Sequence, residues 1–546
     1  MRREITARAK IHRPIGLAAW MQLSGVAPHL TLGNKINGER LRPLEGFPSL
    51  RVLTGRAPAA VWFCSIFIAV LCLFCPRARG DVGIVLDESL DSSIERITGS
   101  GHSAVYLSRV CPETPVKLRP CRADEQGSVI STYTSLGEDQ RFEWNAVPLS
   151  VYLYGVEDPA DRPLFGSRKI KRVLEEQYRA KYLTAYCTSR SCRTSNSAEW
   201  RQMVGANLSR GSYIFVAETS EEQDLKFIAE FNSLPNVNHF NGVRRNCADF
   251  TLHVINSYFP HAASRDYIND FGMTSPKAIA RSFTHYALRH PEVRFRILHF
   301  AQVPGTIKRS GEVRDGTEQL YHSKKLLVPM LLFAEHTLPV MAGFYVLTGR
   351  FNPMHEAERY PTFEITETRH QVRAAEADGE TARAAQLKAL AREERDEIVG
   401  TPKEWESYRE ALRAATDDEV RRGTIPKRAY LKHVFERLDE ASTVYADASG
   451  ALWMEVPSAD GFSRLGLSVS NVLAAGSDSQ LADELLLARV GRELKSPKHE
   501  RENMLEFKED WALLETAHGQ EADSTLPRHA LTASKPADLV PAGENQ

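Results

Sequence analysis

The chain has 546 residues, 42% of them hydrophobic and 25% charged, with a formal net charge of −1. That length predicts two or three folded units with tails rather than one domain. A net charge so close to zero gives no general attraction to phosphate, so nucleic acid is excluded as an expected partner.

Residues 1–56 are rich in Arg and Pro with little periodicity, which predicts a disordered basic leader or a translation start later than Met1. Within 57–80, the uninterrupted apolar run 61–75 follows Arg51 and Arg56 and precedes Ala78-Arg79-Gly80. A run of that length suits the core of a signal peptide, cleaved or kept as an anchor, better than a full span of roughly 20 residues. The chain is therefore expected to be exported to the periplasm or cell envelope, or to stay membrane-associated.

A mixed domain is expected over 81–320. His102–Ser108 and Pro148–Tyr154 read as strands from their alternation and β-branched or aromatic content. Ile170, Val173, Leu174, Tyr178 and Tyr182 mark a helix within 168–186, and Trp200–Leu208 reads as another. Ser212–Ala217 is a buried-type strand, Glu221–Asn232 a helix, and 232–245 a loop with Pro235 and Gly242. The apolar stretch 326–348 carries Glu335, His336, Pro329 and Pro339. It reads either as a membrane span with an ionisable pair near its middle or as a buried or interfacial hairpin.

Over 360–518 the chain becomes Ala-, Glu- and Arg-rich, predicting a charged helical domain. Helices are expected at 367–396, 403–421, 426–441, 478–495 and 499–517, with a hairpin at Thr443–Val456. Residues 519–546 are polar and predict a disordered tail.

Cys64, Cys72 and Cys75 fall in the first apolar run, leaving Cys111, Cys121, Cys187, Cys192 and Cys247. In an oxidising compartment Cys111–Cys121 and Cys187–Cys192 are local pairs able to close small disulfide loops. No His or Cys cluster completes a four-ligand set around them, so neither a metal nor another cofactor is expected. Cys247 is then the odd thiol.

It sits in Asn246-Cys247-Ala248-Asp249-Phe250, ahead of the helical pattern Leu252, Ile255, Tyr258 and Phe259, which Pro260 stops. Asn246 is a good N-cap and Asp249 is placed to reach back to the cap. A thiol at a helix N-terminus meets unpaired N–H groups and the positive end of the helix dipole, both of which favour thiolate. A thiol nucleophile also needs a base. His102 opens a strand after Gly99-Ser100-Gly101, where small residues leave room for a substrate, and His239 on the entering loop is the competing base.

Gly101-His102 with the strand Ala104–Leu107, followed much later by Asn-Cys-x-x-Phe at 246–250, resembles the circularly permuted branch of the papain-like superfamily. These are the permuted NlpC-type peptidases and LRAT-like acyltransferases. The resemblance covers roughly residues 85–260. It implies an α+β fold in which a small antiparallel sheet with helices forms a permuted papain-like core, followed here by a mostly helical C-terminal region. It also implies Cys247 as nucleophile, His102 as base, and metal-free hydrolysis or acyl transfer at amide, isopeptide or ester bonds. The family places a third polar residue on a strand soon after the His; Gln126, Ser128, Ser131 and Asn145 are the candidates here. The substrate would be a peptide or acyl compound outside the cytoplasm, by analogy a cell-wall peptide. The alternative is a catalytically inactive membrane-associated scaffold that binds partners through the charged helices.

Overall fold

The computed structural model describes residues 79–90, 99–132, 142–186, 199–237, 239–241, 245–322, 328, 337–357, 359–360, 428–440, 442–458, 461–493, 509–510 and 513. The leader, the apolar run 61–75, Cys187 and Cys192, the expected helices at 367–396 and 403–421, most of that at 499–517, and the tail all lie outside the described residues.

The strands come in the order β1 (Arg79–Asp87), β2 (His102–Leu107), β3 (Val110–Thr114), β4 (Lys117–Pro120), β5 (Ser128–Ser131), β6 (Asn145–Pro148), β7 (Ser212–Ser220) and β8 (Arg296–Phe300). Six of them build one antiparallel sheet in the order β6-β5-β2-β1-β7-β8, and β3 and β4 make a separate hairpin. The last residue of β1, Asp87, lies opposite the first of β2, His102. A disulfide joins Cys111 on β3 to Cys121 just past β4, Cα to Cα 4.9 Å.

The helices of this part are α1 (Leu149–Tyr154), α2 (Arg168–Tyr178), α3 (Glu221–Ser233), α4 (Cys247–Tyr258) and α5 (Pro276–Arg289). Strand alternation divides the sheet's side chains between two cores. Val82, Ile84, Leu86, Val105, Leu107 and Phe215 pack with α3, α4 and α5. Val85, Ala104, Val129, Ile214 and Val216 pack with α1 and the short turns around Trp200 and Ala206. Because both faces are covered, the central strands read as near-continuous apolar runs. Gly83 lets β1 lie close to β7 beside it: a Cβ there would stand 2.9 Å from Phe215 O.

Two expectations are corrected. Pro148–Tyr154 is not a strand: β6 ends at Pro148, and Leu149–Tyr154 is a helix closed by Gly155 at φ 78°. Leu149, Ser150, Val151, Tyr152 and Leu153 are all buried, so contacts surround the segment and override its β propensity. Trp200–Leu208 is two short 3₁₀ turns, Glu199–Met203 and Ala206–Leu208, split at Gly205 with φ 64°.

Beyond β8 come α6 (Gly316–His322), α7 (Thr337–Phe344) and α8 (Pro353–Ala357). Among the described residues no helix is long and apolar enough to cross a membrane. The described part of 326–348 is α7 and a wider turn, Tyr345–Gly349, held to the domain by Arg281 donating to Gly349 O at 2.6 Å.

The C-terminal elements are α9 (Arg428–Glu440), a three-stranded antiparallel sheet of β9 (Thr443–Ala446), β10 (Leu452–Ser458) and β11 (Gly461–Gly466), and α10 (Ser479–Glu493). The expected hairpin thus gains a third strand. Val434, Leu438, Met454, Leu465 and Leu485 share one apolar core with Leu164, Phe165, Ile170 and Leu174 around α2. The described residues all belong to one compact unit.

Candidate functional site

Helix α4 starts where the sequence places its cap. The Asn246 side chain accepts from Asp249 N–H at 3.0 Å, and Asp249 Oδ2 accepts from Asn246 N–H at 3.1 Å. Asn246 Nδ2 also donates to Thr274 O at 3.0 Å, and Asp249 Oδ1 binds Arg265 at 2.7 Å. Asn246 and Asp249 are therefore occupied in holding the helix start. Burial of Val254, Ile255 and Tyr258 presses α4 onto the sheet, each worth about 1.5–3 kcal/mol. Thr251 Oγ1 reaches Ser103 Oγ at 3.4 Å, seating the first turn against the beginning of β2.

Cys247 is a free, half-buried cysteine at this start. The backbone N–H and hydroxyl of Ser103 and the Ala248 N–H are donors close to it. Those donors and the Arg210 guanidinium favour thiolate, but burial outweighs them and the thiol is pushed above its ordinary range. The expectation of a thiolate-favouring helix start is corrected in sign: the resting group is a thiol.

The Ser103 N–H belongs to the peptide unit that links Ser103 to His102. Sulfur and imidazole are thus drawn to the same end of β2, though they are far apart in the chain. Alternation sends Ser103 toward α4 and His102 toward Asp87 and the α1 side.

His102 is buried, and its Nε2 lies 2.8 Å from Ser131 Oγ. Burial and the Arg210 guanidinium hold its pKa well below the usual histidine range, so the ring is neutral at neutral pH and able to accept a proton. Of the four candidates for a third residue, Ser131 is hydrogen-bonded to the ring. Ser128 Oγ donates to Val110 O at 2.6 Å, Gln126 O accepts from Tyr106 Oη at 3.1 Å, and Asn145 faces Ser131 across the β5–β6 register. His239 is exposed on its loop.

Sequence reading missed the polar group beneath the ring. Asp87, with no exposed surface, accepts from Tyr152 Oη at 2.5 Å and Ser212 Oγ at 2.7 Å, and pairs with Arg210 at 3.1 Å. An acid ending the apolar run Val82-Gly83-Ile84-Val85-Leu86 was the available signal, because a carboxylate at the close of a buried strand must find partners. Gly101 also reads differently. At φ 66°, with a Cβ position 2.2 Å from Asp87 O, it makes the turn into β2 rather than room for a substrate.

Among the described residues the one cluster with metal-ligand geometry is Cys111, Cys121 and Glu125. Its two sulfurs are consumed in the disulfide.

The fold is α+β, an antiparallel sheet with helices on both faces and a buried polar corner at one strand end. Comparison of the chain with protein-family models, with curated proteins and with solved structures finds no match.

Proposed function

We propose that this protein is a thiol hydrolase or acyltransferase of the permuted papain-like kind, resembling NlpC-type peptidases and LRAT-like acyltransferases. In this reading it acts on amide or ester bonds of a peptide or acyl substrate outside the cytoplasm. The observation that carries the reading is Cys247, a free thiol at a capped helix start whose Thr251 bonds Ser103, the residue next to His102.

Cys247 Sγ attacks the carbonyl carbon as its proton passes to the neutral His102 ring, forming a carbon–sulfur bond. Ser131 fixes the ring's tautomer and orientation. The Cys247 N–H, unpaired within the first helical turn, is a donor for the developing oxyanion. Collapse breaks the C–N or C–O bond while His102 returns the proton to the leaving group. Water or an acceptor nucleophile then cleaves the thioester and frees the sulfur. A resting thiol and a neutral imidazole suit base-assisted attack, with no preformed ion pair.

The test is intact-mass analysis after exposure to a p-nitrophenyl acyl ester, alongside the rate of nitrophenol release. The wild type is expected to carry one acyl group, and Cys247→Ala none, with release falling to background. Equal release by the two proteins overturns the proposal. A second reading, an inactive scaffold, is favoured by the core that α9, β10 and α10 share with α2. It gains support if neither protein is acylated.

A further inference from the structure

Two segments beside the start of α4 expose apolar side chains together. Tyr267, Ile268 and Phe271, on the loop between α4 and α5, are 69%, 50% and 51% exposed. Phe344, Val346 and Leu347, at the end of α7 and in the turn after it, are 43%, 65% and 82% exposed. Asn269 Nδ2 joins the segments by donating to Thr348 Oγ1 at 3.3 Å. Singly exposed apolar residues are ordinary, whereas six on two joined segments mark an interaction surface.

The charge pattern says which kind. Within 265–273 and 337–350 the only acidic residues are Asp266 and Asp270, and both turn inward. Asp266 binds Arg281, and Asp270 accepts from Ser275 Oγ at 2.7 Å and from Gly316 N–H at 2.9 Å. Arg350 is exposed at the end of the second segment, while Arg265 at the start of the first is paired with Asp249. Among their described residues the two segments present an exposed Arg350 and no outward carboxylate, which complements an anionic lipid surface with the aromatic rings at headgroup level. A second copy of the chain would instead bring Arg350 against itself.

We propose that this face rests on the surface of an anionic phospholipid bilayer, inserting Tyr267, Ile268, Phe271, Phe344, Val346 and Leu347 into the headgroup boundary. Arg265 binds Asp249 and Thr274 O binds Asn246, so the same loop is tied to the cap of the helix that carries Cys247. Docking would bring that helix start to the lipid surface. The inference stands on exposure and charge and does not depend on Cys247 being reactive.

The experiment is hydrogen exchange on the full chain, with and without vesicles of phosphatidylglycerol and phosphatidylcholine, compared with the double variant Ile268→Glu/Leu347→Glu. Both substituted side chains are exposed, and an unchanged Tm confirms that the variant folds. Anionic vesicles are expected to slow exchange in 265–273 and 337–350 about fivefold or more, and the variant to lose that effect. Neutral vesicles should give less slowing, and Arg350→Glu should reduce it on anionic ones. Unchanged exchange at these segments overturns the proposal, as does equal slowing in the variant. So does slowing that depends on protein concentration without lipid, the mark of a second copy.

Discussion

Asp87→Ala tests the polar corner beneath His102 directly. The wild-type carboxylate, with no exposed surface, accepts from Tyr152 Oη and Ser212 Oγ and pairs with Arg210, itself 3% exposed. Alanine leaves a buried guanidinium without its carboxylate, which costs about 3–5 kcal/mol. The two hydroxyls each lose an acceptor, at about 1–3 kcal/mol apiece, though Ser212 also reaches Asn207 Oδ1 at 3.0 Å and recovers part of it. These losses share one network and do not add fully, so a destabilisation of about 4–6 kcal/mol is expected. Urea unfolding followed by circular dichroism gives the value, read against the double variant Asp87→Leu/Arg210→Met. The double variant should cost less than Asp87→Ala, because no charge is stranded. A single-variant loss below about 1.5 kcal/mol would refute the reasoning, as would a double variant at least as damaged as the single.

Two further outcomes concern titration. The Cys247 thiol is raised by burial, so at pH 7 iodoacetamide should alkylate it more slowly in the folded chain than in urea, with the folded rate climbing only as pH rises above the ordinary thiol range. Faster alkylation of the folded protein would contradict that electrostatic account. Asp315 is buried, with its carboxyl raised to about 7 by burial and by Glu318. The folded state therefore holds a proton that the unfolded chain releases near pH 4, so this group's contribution is complete below pH about 4 and fades as pH climbs toward 7. Asp315→Asn should flatten that decline in thermal melts and raise Tm at pH 8. An unaltered pH slope would show that Asp315 is not its source.

Local chemistry in the sequence marked several features that tertiary packing left in place. The Asn246–Asp249 cap, the α4 pattern ending at Pro260 and the strand after His102 depend on interactions within a few residues, which spacing alone displays. The strand at Ser212–Ala217 follows from the same kind of local pattern, whereas the antiparallel sheet was expected only from the family resemblance. Packing decided the rest. Leu149–Tyr154 has strand-like composition, yet its first five residues are buried and it coils into a six-residue helix between β6 and Gly155. Ser131 was one of four equal candidates until sheet register set it beside the His102 ring.

The sign of the Cys247 shift shows the same division. A helix N-terminus is visible in the sequence and argues for thiolate. The loss of solvent around the sulfur comes from α4 pressing on β2, and no spacing rule reports it. Sequence alone determined which residues could carry charge, hydrogen bonds or a nucleophile, because those are properties of side chains. Only the tertiary structure decided which of them meet, and how dry the meeting place is, because both depend on segments far apart in the chain.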